Sequence, residues 1–238
     1  MPAGKYRFTL QSTEWLTPSV MQITFSSSKK VSFQGGQFLS IYVPDFVDGK
    51  SVRRAYSFSS SPESKEMQLC VKYVTGGAGS EYLRSLRPGD SFEASAPYGH
   101  FVFRPNHLPN VCFIATSTGI APFRSMVLSK EFQENRPEKS LLIFGARDEK
   151  EILYPEEFEK HGVQTAYALS RGKGMFEGRV TDYLKQLPTA WKWHTTDFYI
   201  CGNGDMIQEV KEILRGGHGV PENHIHIENF SPKKRKAA

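Results

Sequence analysis

Arg54 and Tyr56 stand two residues apart in Arg53-Arg54-Ala55-Tyr56-Ser57-Phe58-Ser59-Ser60, a run of strand-forming character. On a strand, alternate side chains share a face, so the arginine fork and the aromatic plate project together. Such a pair suits a ligand with a phosphate at one end and a flat ring at the other. An exposed arginine beside a half-buried tyrosine in an ordinary sheet has the same spelling. Further on, Thr75-Gly76-Gly77-Ala78-Gly79-Ser80-Glu81-Tyr82-Leu83 places three glycines ahead of a short helix expected over Ser80–Leu86. The glycines let backbone approach a ligand closely, and Ser80 as N-cap would aim free N–H groups at an anion. A plain connection is the alternative. Ala96-Pro97-Tyr98-Gly99-His100-Phe101 then makes a turn.

A second chemical segment is Ile114-Ala115-Thr116-Ser117-Thr118-Gly119-Ile120-Ala121-Pro122-Phe123. It spells a strand, a small-residue turn and a helix with Pro122 in its first turn, where proline costs least. Turns of this kind lie at the carboxyl edge of open α/β sheets, where nucleotides bind. The chain has no G-x-G-x-x-G, which argues against the familiar dinucleotide fingerprint. Cys201 ends an apolar run, a place where a lone cysteine ordinarily serves as packing. Cys70, Cys112 and Cys201 form no CxxC pair, and an iron–sulfur cluster normally needs four ligands. Three cysteines also make a poor disulfide framework, which points to a reducing cytoplasm. The seven histidines are scattered, and His224 with His226 alternates on a strand without further ligands, so no metal is expected. No Ser/His/Asp triad is evident.

The elements that must position these residues fall into two rhythms. With 238 residues, 39% of them hydrophobic, the chain has material for two cores. Residues 1–104 read as strands at 5–12, 20–26, 37–43, 53–60, 67–74 and 91–96. Turn-forming pieces separate them: Gln34-Gly35-Gly36, Asp48-Gly49-Lys50 and Pro88-Gly89-Asp90. This predicts a closed antiparallel β-barrel. From Val111 the pattern alternates, with apolar runs Val111–Ala115, Leu141–Phe144, Thr165–Leu169, Phe198–Cys201 and His224–Ile227. Between them, Val180, Tyr183, Leu184 and Leu187 keep helical spacing, as do Met206, Ile207, Val210, Ile213 and Leu214. A doubly wound parallel α/β sheet follows. The expected division is 1–104, 105–230 and a basic tail over 231–238, with the boundary in Arg104–Asn110.

In order along residues 53–230, these motifs resemble the ferredoxin–NADP reductase superfamily. Arg54-Ala55-Tyr56-Ser57 is similar to the family's R-x-Y-S, Gly77-Ala78-Gly79-Ser80 to its G-x-x-S, and Pro97-Tyr98-Gly99-His100-Phe101 to its P-x-G-x-F. Thr118-Gly119-Ile120-Ala121-Pro122-Phe123 matches the end of G-T-G-I-A-P-F, with Ser117 in place of the first glycine. Gly145-Ala146-Arg147, Leu169-Ser170-Arg171, Gly178-Arg179-Val180 and Cys201-Gly202-Asn203-Gly204-Asp205-Met206-Ile207 match later segments, and Glu228 and Phe230 the closing E-x-F.

The resemblance implies an FAD-dependent NAD(P)H oxidoreductase without a fused iron–sulfur domain. Arg54, Gly79 and Ser80 would bind the FAD diphosphate, with Ala55, Val71, Lys72, Tyr73 and Gly77 also contacting the cofactor. Tyr56 would pack on the isoalloxazine and Ser57 would reach flavin N5, although strict alternation sends Ser57 to the opposite face unless the strand ends there. Thr118, Gly119, Ser170, Arg171, Gly202, Asp205 and Met206 would adjoin NADP or NAD. Cys201 would help orient the nicotinamide, and Ser57, Cys201 and Glu228 form the expected catalytic set. Phe230 would lie near the flavin ring. Ser170 and Arg171, with no acidic residue at position 170, tilt the choice toward NADPH.

Electrons would pass to a separate ferredoxin or oxygenase component; the alternative is a diaphorase-type reductase of free flavin, quinone or ferric chelates. Four of the 30 Lys and Arg residues lie at Lys233–Lys236, and without them basic and acidic residues nearly balance. No folded basic face for nucleic acid is apparent, and no apolar stretch approaches a bilayer span. A cytoplasmic protein is expected.

Overall fold

A computed structural model describes residues 3–44, 51–173, 176–187 and 191–231. The expected turn at Asp48-Gly49-Lys50 and the basic run Lys233–Lys236 lie outside the described residues.

The front of the chain forms strands β1 (Gly4–Thr17), β2 (Val20–Ser26), β3 (Phe38–Pro44), β4 (Ser51–Ser57), β5 (Met67–Lys72) and β6 (Ser91–Tyr98). They pair antiparallel in the order β4-β3-β6-β1-β2-β5. Just past β4, Phe58 bridges Leu69 of β5, so the two outer strands meet and the sheet closes into a barrel. Alternation supplies the interior: Phe8 and Leu10, Met21, Ile23 and Phe25, Leu39 and Ile41, Leu69 and Val71, and Phe92 and Ala94 are all buried. Phe8, Phe25 and Phe92 pack with ring centroids 5.1–5.4 Å apart, a compact aromatic centre. β1 runs well beyond the expected 5–12 because its second half forms a hairpin with β2, with register shifts near Ser12 and Thr17. One helix, α1 (Ala78–Ser85), lies between β5 and β6.

The rear of the chain alternates. Its strands are β7 (Asn110–Thr116), β8 (Lys139–Ala146), β9 (Gln164–Leu169), β10 (Phe176–Glu177), β11 (Thr196–Gly202) and β12 (Ile225–Asn229). All pairings are parallel, in the order β10-β9-β8-β7-β11-β12. The helices are α2 (Ala121–Val127), α3 (Lys130–Glu134), α4 (Glu157–Lys160), α5 (Val180–Gln186) and α6 (Gly204–Glu212). Successive strand residues bury on opposite faces. Phe113, Phe144 and Tyr199 pack with Phe123 of α2, Phe132 of α3 and Phe158 of α4. Ile114, Ile143 and Ile200 pack with Val180 and Leu184 of α5 and Ile207 and Val210 of α6. This is the doubly wound arrangement, and both faces of the sheet are covered. The two-residue β10 has no forerunner in the sequence reading, being too short to carry a periodic signal.

Two features position the site. The strand order reverses at β7, so the carboxyl ends of β7 and β11 part into the crevice where such sheets take ligands. And Arg124 of α2 ties the two sheets together. Its guanidinium donates to the Ser59 carbonyl and to Gln68 Oε1, both at 2.8 Å, while forming a two-point pair with Glu157 at 2.7 and 2.9 Å. The neighbouring Ser125 hydroxyl donates to the Ser60 carbonyl at 2.7 Å.

Candidate functional site

The pleat sorts the two consecutive arginines of β4. Arg53 is committed within the protein: Nε donates to Ser40 Oγ at 3.0 Å and Nη2 to the Tyr98 hydroxyl at 2.9 Å, with Tyr42 and Tyr98 rings beside it. Arg54 points the other way and is exposed; among the described residues its guanidinium donates only to its neighbour's carbonyl. Tyr56 shares its face. A Cβ built on Gly79 would lie 3.0 Å from Arg54 Cγ and would collide with the Tyr56 hydroxyl. The start of α1 therefore rests directly on the Arg54–Tyr56 pair, at a point where only glycine fits. Burial pushes the Tyr56 phenol up to about 12, despite the opposing Arg54 charge, so it stays protonated. Ala55 is exposed.

Ser80 is not the cap. The helix begins two residues earlier than expected, with Gly77 as N-cap and no side-chain cap. The Ser80 hydroxyl is buried and turned back into the loop, accepting from the Val74 N–H at 3.1 Å and facing the Val74 and Gly77 carbonyls. What α1 offers an anion is thus the backbone N–H groups of its first turn, beside the uncommitted Arg54. The β5 residues divide similarly. Val71 is wholly buried in the barrel, leaving only its backbone for a ligand, whereas Lys72 is exposed and lines a cleft. Tyr73 is held by Glu81 and Arg84, each at 2.9 Å.

Ser57 is the last residue of β4 and is buried. The strand ends there, and the Ser57 hydroxyl donates to Glu228 Oε2 of β12 at 3.4 Å. Glu228 pairs in register with Cys201 of β11. Burial pushes the Glu228 carboxyl up to about 7, partly opposed by the Ser57 hydrogen bond. Burial, reinforced by the Glu228 charge, raises the Cys201 thiol far above its ordinary value. Cys201 is therefore a neutral thiol and a poor nucleophile. Ser57, Glu228 and Cys201 come together at one place, where the end of the barrel strand meets the carboxyl edge of the parallel sheet.

Next to it, Ser117–Ile120 forms a 3-10 turn leading into α2. A Cβ on Gly119 would strike the Cys201 carbonyl oxygen and sit 2.7 Å from its carbon, so the turn lies against the end of β11. Thr118 belongs to the same turn. Ser117 adopts φ +52°, the left-handed region that favours the glycine it replaces. A cleft of about 440 Å³ opens at this edge, with Thr116, Ser117, Arg147, Ser170, Asp205 and Met206 on its walls. Gly202 accepts the Phe230 N–H at 2.9 Å, and Phe230 is 38% exposed. Arg171 is exposed and outside the cleft wall, joined to it through its backbone N–H on the Arg147 carbonyl at 2.7 Å. Arg147 and Arg179, both on the wall, received no role in the sequence reading, although each sits in a quoted motif.

The histidine reading needs correction. His226 does have further ligand-type neighbours: Asp197 and His107 converge on it, 29 and 119 positions away in sequence. Nothing in the spacing pointed to this.

These residues fit a flavin dinucleotide and a nicotinamide dinucleotide. An uncommitted arginine, a glycine-only contact and a helix start suit one diphosphate, and a polar cleft at the sheet's switch point suits the other. Comparison with known proteins agrees. An oxidoreductase FAD-binding domain model matches residues 7–103, and an oxidoreductase NAD-binding domain model matches residues 113–212. The chain is 34% identical to ferredoxin–NADP reductase B of Sorangium cellulosum, over 96% of this chain and 98% of that protein. It is 26% identical to the toluate 1,2-dioxygenase electron transfer component of Pseudomonas putida, over 95% and 68%. The crystal structure of a Neisseria gonorrhoeae ferredoxin NADP+ reductase with bound FAD and NADP shares the fold, with TM-score 0.82 at 20% identity, over 94% and 98%.

Proposed function

The chain belongs to the ferredoxin–NADP reductase superfamily, and from that premise we propose that it takes hydride from NADPH and hands single electrons to a separate ferredoxin or oxygenase component. That it is an FAD- and NAD(P)H-dependent electron-transfer oxidoreductase follows from the family itself. The observation that carries the proposal is the meeting of Ser57, Glu228 and Cys201 beside the Arg54–Tyr56 face.

In this reading residues 1–104 hold FAD and 105–230 hold the nicotinamide nucleotide. Arg54 and the first-turn amides of α1 grip the flavin diphosphate, supported by Gly77 and Gly79. Tyr56 and Phe230 would hold the flavin ring, and Ser57 would offer it a hydrogen bond. When bound, the flavin accepts hydride and releases electrons one at a time. The chain's own work is alignment and exclusion of water. Gly119 lets the nucleotide turn reach the end of β11, and neutral Cys201 sets the depth of the nicotinamide. Glu228, with a carboxyl poised near neutrality, holds or yields a proton toward Ser57 Oγ. Ser170, Arg147 and Arg171 supply hydrogen-bond donors for a 2′-phosphate.

The separate-acceptor reading is supported by the Sorangium relative, whose length this chain nearly spans. Among the described residues no helix is long and apolar enough to cross a membrane. Stopped-flow mixing of FAD-loaded protein with NADPH or NADH, followed by oxidised ferredoxin or free FMN, tests the proposal. NADPH should bleach the flavin faster, and ferredoxin should restore its colour faster than FMN. Failure of both nucleotides to bleach it would remove the reading.

A further inference from the structure

Asp197, the second residue of β11, is buried at 3% exposure. A carboxylate withdrawn from water needs charge or hydrogen-bond partners. Its side-chain partners among the described residues are two imidazoles. His107 Nδ1 lies 2.8 Å from Oδ2 and 3.0 Å from Oδ1, and His226 Nε2 lies 2.9 Å from Oδ1. All the ligand-type atoms fall within 4.8 Å of one another. We propose that His107, Asp197 and His226 form a site for one divalent first-row transition-metal ion, with Zn2+ the best fit.

The donor set carries the choice of metal. Two imidazole nitrogens and one carboxylate suit zinc and its neighbours, whereas calcium and magnesium take oxygen ligands. The three residues come from different elements: His107 from the irregular segment joining the sheets, Asp197 from β11 and His226 from β12. Their placement is stiffened from behind. The Tyr199 ring lies 4.5 Å from the His226 ring, and the Tyr199 hydroxyl accepts the Arg104 N–H at 3.0 Å, fixing the start of the segment that carries His107. His224 stands next to the cluster, with its ring centroid 5.9 Å from that of His107. Its buried Nδ1 has no hydrogen-bond partner among the described residues. It is an uncommitted nitrogen in a place where a buried polar atom is expected to have a use. An ion has a way in, because His107 is one-third exposed and lines an open cleft of about 300 Å³ with Asn106, Asn135 and Glu138. The site shares its strands with Cys201 and Glu228: His226 stands two residues before Glu228 and lines a common cleft with it, while Asp197 lies near the start of β11, four residues before Cys201.

Untagged, FAD-loaded protein, stripped of metal by a chelator, is titrated with Zn2+ by calorimetry, with metal content measured after dialysis. One equivalent should bind and should raise the melting temperature. His107→Ala, in a segment without helix or strand, should weaken binding tenfold or more, about 1.4 kcal/mol, and abolish the melting shift. His226→Gln should do the same, while His161→Ala, outside the cluster, should change nothing. Absence of stoichiometric binding, or binding unaltered by His107→Ala, would overturn the proposal even if His226→Gln fails to fold.

Discussion

The Ser57 hydroxyl donates to a carboxylate oxygen of Glu228 at 3.4 Å across 171 positions of sequence. One residue closes a barrel strand and the other sits on the edge strand of the parallel sheet. The contact is one of the polar links between the two halves, alongside those of Arg124 and Ser125, and it makes the titration of Glu228 a reporter on the assembled site.

Because burial holds the Glu228 carboxyl near 7, above its ordinary 4.5, the folded chain binds this proton more tightly than the unfolded chain. Stability contributed by the group is present at low pH and is lost as pH rises between those two values. Glu228→Gln should therefore match the wild type at pH 4.5 and exceed it at pH 8, by on the order of 1–3 kcal/mol. Urea unfolding of flavin-free protein at both pH values measures this; a gap that is largest in acid would contradict it.

Ser117 holds φ +52° without being glycine. The left-handed region costs an L-residue roughly 1–2 kcal/mol, while glycine adds roughly 0.5–1 kcal/mol of unfolded-chain freedom. Ser117→Gly should leave stability unchanged or raise it by up to about 1 kcal/mol. Denaturant midpoints decide, and a loss above that size would mean the serine side chain is anchoring the turn.

Gly119 allows no side chain, because its Cβ would meet the Cys201 backbone. Gly119→Ala should cost about 1–3 kcal/mol and lift KM for NADPH at least tenfold. FAD content should stay at the wild-type level, since the proposed grip on the flavin diphosphate, Arg54 and the start of α1, lies on the barrel. Flavin absorbance per chain alongside steady-state kinetics separates the two effects.

Arg124 has a side chain only 12% exposed and joins both sheets. Arg124→Met strands Glu157 and leaves the Ser59 carbonyl and Gln68 without their donor. A loss of about 3–5 kcal/mol is expected. Calorimetry should show the single melting transition splitting in two, as the barrel and the parallel sheet lose their shared clamp.

Arg171→Ala should weaken NADPH at least tenfold while leaving NADH nearly unchanged, because a phosphate contact is worth more than a hydroxyl contact. Equal weakening of both coenzymes would assign Arg171 to the common part of the nucleotide.

Much of the architecture was legible because two periodicities are written openly in the chain. Alternation through Met21, Ile23 and Phe25 marks barrel strands, and the spacing of Val180, Leu184 and Leu187 marks a helix. The Arg54–Tyr56 face was legible for the same reason. The role of Ser80 was not. A serine before a helix looks like a cap, and only the three-dimensional course of the loop shows its hydroxyl turned to Val74. The His107–Asp197–His226 grouping was invisible because register between β11 and β12, and the path of an irregular segment, carry no local signature. Arg53 received no role in the sequence, because its partners Ser40 and Tyr98 lie on other strands and carry no local signal.

β12 is the final strand of the parallel sheet, and it brings Glu228 to a serine near residue 60. At ribosomal speeds of about 5–20 residues per second, on the order of ten seconds separate the completion of β6 from that of β12. The barrel thus has time to fold while the wall opposite Ser57 is still unmade. On the proposed function, a newborn chain would meet its flavin as an open cup, with the Glu228 wall opposite Ser57 added only after β12 is made.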